Sequence, residues 1–304
     1  MSHLTRLAMF FRTSDNPYWA DKSRGRWLIA LAAVMWSTSG FFAKADVFDN
    51  WSQIERGPLL AFWRAFFASL ILIPFVRRPR WSWKLIPMVL LFAAMNLTFL
   101  SSMTLGDPAD TIWLQYTSPV WVFMVSVFWF KERAFARDWL MLTVVCIGLG
   151  IILLADFEKR DSGSLSYGLL SGLFFAGVVL SVRQLKHHDS AWLIALNHVV
   201  TASLLAPMIL PMTSSPAGMQ WCYLAGFGVL QMGVPYVLFA VGLRSVVGHE
   251  AAALTLLEPV LVPVWVFFAW GDLASWTTLT GGCFIFLGLL LRYVGARKAA
   301  FAGE

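Results

Sequence analysis

Between Ser190 and Leu243 the chain contains no Asp, Glu, Lys or Arg. A bilayer core of about 30 Å is crossed by roughly 20 apolar residues in a helix. This stretch therefore predicts two membrane-crossing helices, joined by the turn residues Thr213 to Gly218. The whole chain is similar in kind, with 59% hydrophobic and 13% charged residues, whereas a soluble domain carries about 25% charged residues. We predict an all-α integral membrane protein.

Cutting the sequence at its charged and turn residues gives ten apolar runs of hydrocarbon length, which predict ten transmembrane helices. The runs are Trp27–Ala43, Gly57–Val76, Leu85–Leu105, Thr111–Phe130, Trp139–Ala155, Leu165–Val182, Ala191–Met212, Met219–Leu243, Ala251–Gly271 and Trp276–Leu291.

The basic residues predict which side of the membrane each loop occupies. With residues 1–26 in the cytosol, 18 of the 23 Lys and Arg lie on the cytoplasmic side and four lie outside. Positively charged loops resist translocation. We therefore predict a multi-pass protein of the cytoplasmic (inner) membrane, with a cytoplasmic N-terminal segment, 1–26, and a cytoplasmic C-terminal tail, 292–304.

An internal similarity at a spacing of 140 residues predicts a repeat. The shift places Ser118-Pro119-Val120 on Glu258-Pro259-Val260 and spans three to five on spans eight to ten. Each unit, 27–155 and 165–291, holds five spans, and an odd number inserts the second unit upside down. Inverted repeats of this kind are typical of alternating-access transporters, whose site lies between the halves. Chance similarity of apolar helices is the alternative.

Several short segments resemble the drug/metabolite transporter superfamily, specifically its EamA-type members with two five-helix units. They are Met35-Trp36-Ser37-Thr38-Ser39-Gly40, Phe62-Trp63-Arg64-Ala65, Thr117-Ser118-Pro119-Val120 with Phe130-Lys131-Glu132-Arg133, and Leu257-Glu258-Pro259-Val260 with Trp270-Gly271-Asp272. Asp272 stands where the family more often has Glu. The resemblance covers about residues 27 to 292 and implies a central cavity and, often, export of amino acids or other metabolites.

Two strongly ionisable residues lie inside the predicted spans, Arg64 and Glu258. Such groups are expensive in a bilayer and are functional-site candidates by default. Each lies roughly 10 Å from its own side of the membrane, so their side chains are predicted to approach and to hold a charged or zwitterionic substrate. A carboxyl group in a poorly solvated cavity also suits proton coupling. The alternatives are an ion pair that only locks helices, or Arg64 snorkelling outward beside Arg56.

Two prolines at matching positions predict helix breaks in spans four and nine. Pro119 and Pro259 lack an N–H and would free the carbonyls of Gln115 and Thr255. Broken helices at matching places in two halves point to a binding site, so Gln115 and Tyr116 are substrate-binding candidates. A kink needed only for packing is the alternative.

Aromatic and amide side chains complete the predicted cavity. Trp36, Asn96, Trp113 and Tyr236 are its candidate wall, and Asn96 and Tyr236 match in the 140-residue register. An aromatic wall favours a substrate with an apolar part. His198 is predicted to be a hydrogen-bonded packing residue.

These features predict a secondary transporter for a small amphiphilic metabolite, working by proton coupling or exchange, and the family resemblance implies export of a compound such as an amino acid. No cofactor, metal or nucleic-acid partner is expected, because the basic residues follow topology and the cysteines have no ligand spacing. The predicted partners are the substrate and the lipid bilayer, and the protein would be a monomer or a homodimer. A channel, a scaffold and an intramembrane transferase are the rival interpretations.

Overall fold

The computed structural model describes residues 18–131, 136–154, 162–185, 187–246 and 248–301. Within these ranges the secondary-structure elements are all helices. The α-helices are α1 (Tyr18–Trp36), α2 (Ser39–Ala43), α3 (Gln53–Leu72), α4 (Leu85–Leu105), α5 (Pro108–Gln115), α6 (Ser118–Phe128), α7 (Ala136–Leu154), α8 (Ser162–Gln184), α9 (Ser190–Ile209), α10 (Gln220–Gly226), α11 (Val234–Gly242), α12 (Gly248–Thr255), α13 (Leu257–Trp270) and α14 (Trp276–Phe301).

Among the residues that the structure describes, six helical stretches are long and apolar enough to cross a bilayer, which confirms the all-α membrane prediction. They are Ser23–Ala43, Gln53–Phe75, Leu85–Leu105, Ser162–Gln184, Ser190–Ile209 and Gln220–Gly242. Shorter apolar helices cover Asp138–Leu154, Leu257–Trp270 and Trp276–Leu291. The count of ten spans stays a prediction.

Some of the predicted features fall on residues that the structure does not describe. Residues 1–17 and 302–304 of the two predicted cytoplasmic segments are among them, as are Glu132 and Arg133 of the loop motif.

In the described residues, four predicted spans depart from a regular α-helix. Spans four and nine break at Tyr116–Thr117 and at Leu256, so that Pro119 and Pro259 fall in the first turn of the helix that follows. A proline is accommodated there because the N–H that it lacks would have no partner within the helix.

The other two departures from regular helix lie at the end of α1 and in span eight, where Pro235 falls in the first turn after the π-helical turn. Between α1 and α2, the hydroxyls of Ser37 and Thr38 donate to the carbonyls of Val34 and Met35 at 2.6 and 2.7 Å, a local bond that competes with the helix. Span eight contains a π-helical turn, Phe227–Gly233. There a Cβ on Gly228 would lie 2.8 Å from the carbonyl oxygen of Arg64, so the glycine permits this close approach.

The helices pack in pairs that join the two halves of the chain. α4 packs against α8, α7 against α14, α3 against α9, and α1 against α11. In the α7–α14 pair the backbones themselves touch. A Cβ on Gly148 would lie 2.4 Å from the Gly281 carbonyl oxygen, and one on Gly281 would lie 2.6 Å from that of Gly148.

Loops that are predicted to share a side of the membrane contact one another. On the predicted outer side, the Glu55 carboxylate accepts hydrogen bonds from the backbone N–H groups of Thr213 and Ser214, each at 3.0 Å. On the predicted inner side, Arg26 pairs with Glu250. These contacts gather the two sets of loops at opposite ends of the bundle.

The glycine contact gives a matched pair of stability variants. Gly148→Ala places a methyl group against the Gly281 backbone, whereas a Cβ on Gly150 would have nothing within 4 Å. Because overpacking costs about 1–3 kcal/mol, we expect Gly148→Ala to lower the thermal unfolding temperature in detergent and Gly150→Ala to leave it unchanged or higher. Equal unfolding temperatures for the two variants would contradict the contact.

Candidate functional site

Arg64 lies in the middle of α3 and is held there by an amide and two aromatic rings. Its side chain is 1% exposed. The Nη2 group donates to Asn96 Oδ1, and Asn96 Nδ2 donates in turn to the Ala61 carbonyl at 3.0 Å. The guanidinium carbon lies 5.6 Å from the ring centre of Phe99 and 5.1 Å from that of Phe227. Cation–π contacts of this kind hold a desolvated guanidinium in place.

Part of the guanidinium has no partner in the described chain. Nε and Nη1 of Arg64 are buried and donate to no acceptor among the described residues. These two atoms carry three N–H groups. Since a buried, unpaired charge is costly, the free edge of Arg64 is suited to an anionic group such as a carboxylate.

Glu258 lies in the first turn of α13, beside the break that follows Thr255. The hydroxyl oxygen of Tyr116, at the break between α5 and α6, lies 2.9 Å from Glu258 Oε2 and 3.0 Å from the Thr255 carbonyl oxygen. One hydroxyl proton is thus shared between two acceptors. The Thr255 carbonyl is the group that Pro259 frees, so Tyr116 links both helix breaks to the carboxylate.

Arg64 and Glu258 are close enough for their charges to interact. Yet no guanidinium nitrogen of Arg64 lies within 4.0 Å of a carboxylate oxygen of Glu258, both of which are described. The side chain of Arg64 does not extend outward beside Arg56, because it donates to Asn96. Arg56 has its own partners, Asp49 Oδ1 at 3.1 Å and the Ala45 carbonyl at 2.7 Å. The two opposite charges therefore face each other without forming a direct ion pair.

The predicted aromatic wall is partly present. The rings of Trp36 and Tyr236 meet edge to face at 5.1 Å, and Tyr236 interacts electrostatically with Arg64. Trp113 instead packs against Gly282 of α14, away from these rings. Gln115 is buried next to Tyr116, but in the described chain no hydrogen bond joins its side chain to Arg64 or Glu258.

A polar face of α9 also borders this region, and the prediction from sequence did not include it. His198 is 0% exposed and packs edge to face on Tyr236 at 5.7 Å. Neither of its ring nitrogens has a hydrogen-bond partner among the described residues, so the predicted hydrogen-bonded packing role is wrong in that respect. Among the described residues, a hydrogen-bond partner is also lacking for Asn197 Oδ1, Thr201 Oγ1 and, on the π-helical turn, Gln231 Oε1.

A helical spacing could have revealed this face. Asn197, His198 and Thr201 fall at positions i, i+1 and i+4 of an otherwise apolar span, which places them on one side of the helix. Together with Arg64 they form a buried set of polar atoms that lack partners in the described protein. Such groups are expensive in an apolar interior, and they are typical of a site that takes a polar ligand.

A family model described as the EamA-like transporter family matches residues 23–154 and again residues 163–294. The chain is 27% identical over 272 residues to an uncharacterized transporter of Archaeoglobus fulgidus, covering 88% of this chain and 96% of that one.

Two further relatives have more specific names. The pseudopaline exporter CntI of Pseudomonas aeruginosa is 28% identical over 184 residues, which cover 58% of this chain and 63% of the exporter. An S-adenosylmethionine uptake transporter of Rickettsia felis is 22% identical over 250 residues, with coverage of 79% and 84%.

One solved crystal structure has the same fold. It superposes with a TM-score of 0.65 at 16% sequence identity and covers 91% of this chain and 99% of its own.

The Asn96 bridge can be tested separately from the site that it supports. Asn96→Leu removes the acceptor of Arg64 Nη2 and leaves a buried donor unpaired, which costs about 1–3 kcal/mol. We expect a lower thermal unfolding temperature in detergent. Thr98→Val is the control on the same helix, because the Thr98 hydroxyl donates only to the carbonyls of Ala94 and Met95. If both variants unfold alike, the bridge contributes nothing specific.

Proposed function

Since the chain belongs to the EamA-like transporter family, we propose that it is an alternating-access carrier for a small zwitterionic metabolite, such as an amino acid or a related amphiphilic compound. The observation that carries the proposal is the pair Arg64 and Glu258. The two charges come from the two segments that match the family model. Arg64 is buried and Glu258 is half-buried in an apolar bundle, and the two do not pair directly.

The geometry suggests a role for each group. The free N–H groups of Arg64 would bind the substrate carboxylate, and the Glu258 carboxylate would bind its ammonium group. Trp36 and Tyr236 would contact the apolar part of the substrate. S-adenosylmethionine, named for the Rickettsia relative, is itself a zwitterionic amino-acid derivative, which is the chemistry that this pair suits.

The proposed architecture is ten spans in two inverted units, 27–155 and 165–291. Three features support it. A shift of 140 residues superposes the helix break at Tyr116 on the helix break at Leu256. The six long apolar stretches correspond to spans one to three and six to eight. Span three packs against span six, and the corresponding spans of the other unit, eight and one, also pack against each other.

Tyr116 is suited to couple the site to the motion of the two units. Its hydroxyl crosses from the first unit to Thr255 and Glu258 of the second. A substrate ammonium group bound to Glu258 would compete for the oxygen that Tyr116 contacts. Occupancy of the site would thus change a contact between the units, as alternating access requires.

The proposed localisation is the inner membrane with both termini in the cytosol, and the proposed direction is export. The contacts between loops support the grouping of those loops on two sides of the membrane, the distribution of Lys and Arg supports the orientation, and the pseudopaline exporter supports the direction. The Rickettsia relative is named for uptake, so direction is best tested by an assay that loads each side in turn.

Counterflow into liposomes tests the central site. Proteoliposomes are loaded with a pool of amino acids and S-adenosylmethionine, and the compounds that exchange are identified. We expect saturable exchange, which Arg64→Ala and Glu258→Gln each reduce at least about tenfold, because a hydrogen bond to a charged group contributes about 1.5–3 kcal/mol.

Ser203→Ala is the control for these variants. Its hydroxyl is exposed and donates to the carbonyl of Val199 in the same helix, so exchange should remain at the wild-type rate. Normal exchange by both site variants would refute the site. Flux that does not saturate would indicate a channel, and no flux of any compound would indicate a scaffold.

Proton coupling is tested in the same liposomes. If Glu258 exchanges its proton for the substrate ammonium group, we expect net transport by the wild type to respond to an imposed pH gradient, and the reduced exchange left in Glu258→Gln not to respond. Wild-type transport that is equally fast from mildly acidic to mildly alkaline pH, with or without a gradient, would contradict the coupling.

A further inference from the structure

A cavity lies at the end of the bundle that we place on the outer side. It has a volume of about 260 Å³ and lies between the end of α2, the start of α5 and the C-terminal half of α13. Its lining residues are Lys44, Gly106, Asp107, Pro108, Ala109, Pro263, Val266, Asp272, Leu273 and Ala274. We call it the outer cavity.

Charges of both signs face this cavity. Lys44 follows α2 and is half-buried, and it interacts electrostatically with Asp107 and Asp272. No ion pair or hydrogen bond of the Lys44 ammonium group is found within the described chain, so these opposite charges are near one another but not in contact. Burial lowers the pKa of Lys44, and the two carboxylates act in the opposite direction.

The carboxylate of Asp107 is held in a fixed position. It caps α5, where Oδ1 accepts a hydrogen bond from the Ala109 N–H at 2.8 Å. Asp272 follows Gly271, the residue in the left-handed conformation that ends α13. Both acids are thus placed by helix ends rather than by contact with Lys44.

The cavity is aligned with the central site along one helix. Pro263 and Val266 form an apolar part of its lining, and Pro263 lies five residues after Glu258 on α13. At 1.5 Å per residue this is about 7.5 Å along the helix axis. The outer cavity therefore lies between the level of Glu258 and the proposed outer face.

The volume and the charges together indicate the kind of ligand. At 260 Å³ the cavity is just below the range of about 300–1,000 Å³ that holds drug-sized ligands, so it suits one molecule of amino-acid size. We propose that the outer cavity is a second binding site on the transport route, where Lys44 binds the carboxylate of a zwitterion and Asp107 and Asp272 bind its ammonium group. Its place on the route rests on the proposed function.

Protection of a cysteine at the cavity rim tests this site without a transport assay. Leu273, which is 78% exposed, is changed to Cys after Cys146, Cys222 and Cys283 have been replaced by Ala. An impermeant, negatively charged methanethiosulfonate reagent is added from outside. The probe is a mixture of the common L-amino acids except cysteine, plus S-adenosylmethionine, at about 5 mM each, which fills most of a site with a Kd of about 1 mM or below.

We expect the mixture to slow labelling of Leu273→Cys about fivefold and to have little effect when Lys44→Met is also present. Met219→Cys is the matched control, since Met219 is 64% exposed at the same predicted face but does not line the cavity. Its labelling should not change. No protection at Leu273→Cys, or protection that survives Lys44→Met, would overturn the proposal.

Two further arms separate the outer site from the central site and from simple ion binding. Protection should persist with Arg64→Ala, which lacks the proposed central site. If Arg64→Ala abolishes it, the cysteine reports occupancy of the central site and the outer site is excluded. Sodium chloride at the same ionic strength should not protect, and equal protection by salt would mean that the cavity binds only simple ions. Because none of these arms requires transport, the outer site can fail while counterflow succeeds, and the reverse.

Discussion

The absence of water in the bilayer core is the constraint on which this structure depends. Every backbone N–H and C=O at that depth must find a partner in the protein, which is why each assigned element in the described ranges is a helix. Where a helix breaks, the freed group must be satisfied by another part of the chain. The carbonyl of Thr255 shows how this is done, because it accepts a hydrogen bond from the Tyr116 hydroxyl of the other family-matched segment.

The same constraint applies to side chains, and it explains why the candidate site stands out from its surroundings. Several buried hydroxyls in this bundle donate to a carbonyl of their own helix, as Thr98 and Thr104 do. By contrast, buried polar atoms without a hydrogen-bond partner in the described chain are found on Arg64, His198 and Thr201. His198 is also close enough to Arg64 for the two to interact electrostatically, which makes this region the candidate site.

Much of the fold could be predicted from the sequence because hydrophobicity and length determine where helices cross a bilayer. Span three is predicted as Leu85–Leu105 and has these bounds in the structure. The breaks at Tyr116 and Leu256 are predictable because proline has a fixed chemical effect. The break at Ser37–Thr38 and the π-helical turn are not, since they depend on local hydroxyl bonds and on neighbouring helices.

The members of the candidate site could be predicted from the sequence better than the contacts among them. Arg64 and Glu258 stand out in any apolar run, but an apolar run indicates depth in the membrane and not lateral position. It could not show that Asn96 anchors Arg64, that Trp113 turns toward α14, or that His198 packs on Tyr236. These contacts depend on which face each helix presents, and that face is determined by packing.

The touching backbones of α7 and α14 have a mechanical consequence. Side chains at an interface can change rotamer and slide, but the carbonyls of Gly148 and Gly281 have no such freedom. The two helices are thus held together as one rigid pair. In the proposed alternating access to Arg64 and Glu258, we therefore expect the remaining helices to move relative to this pair.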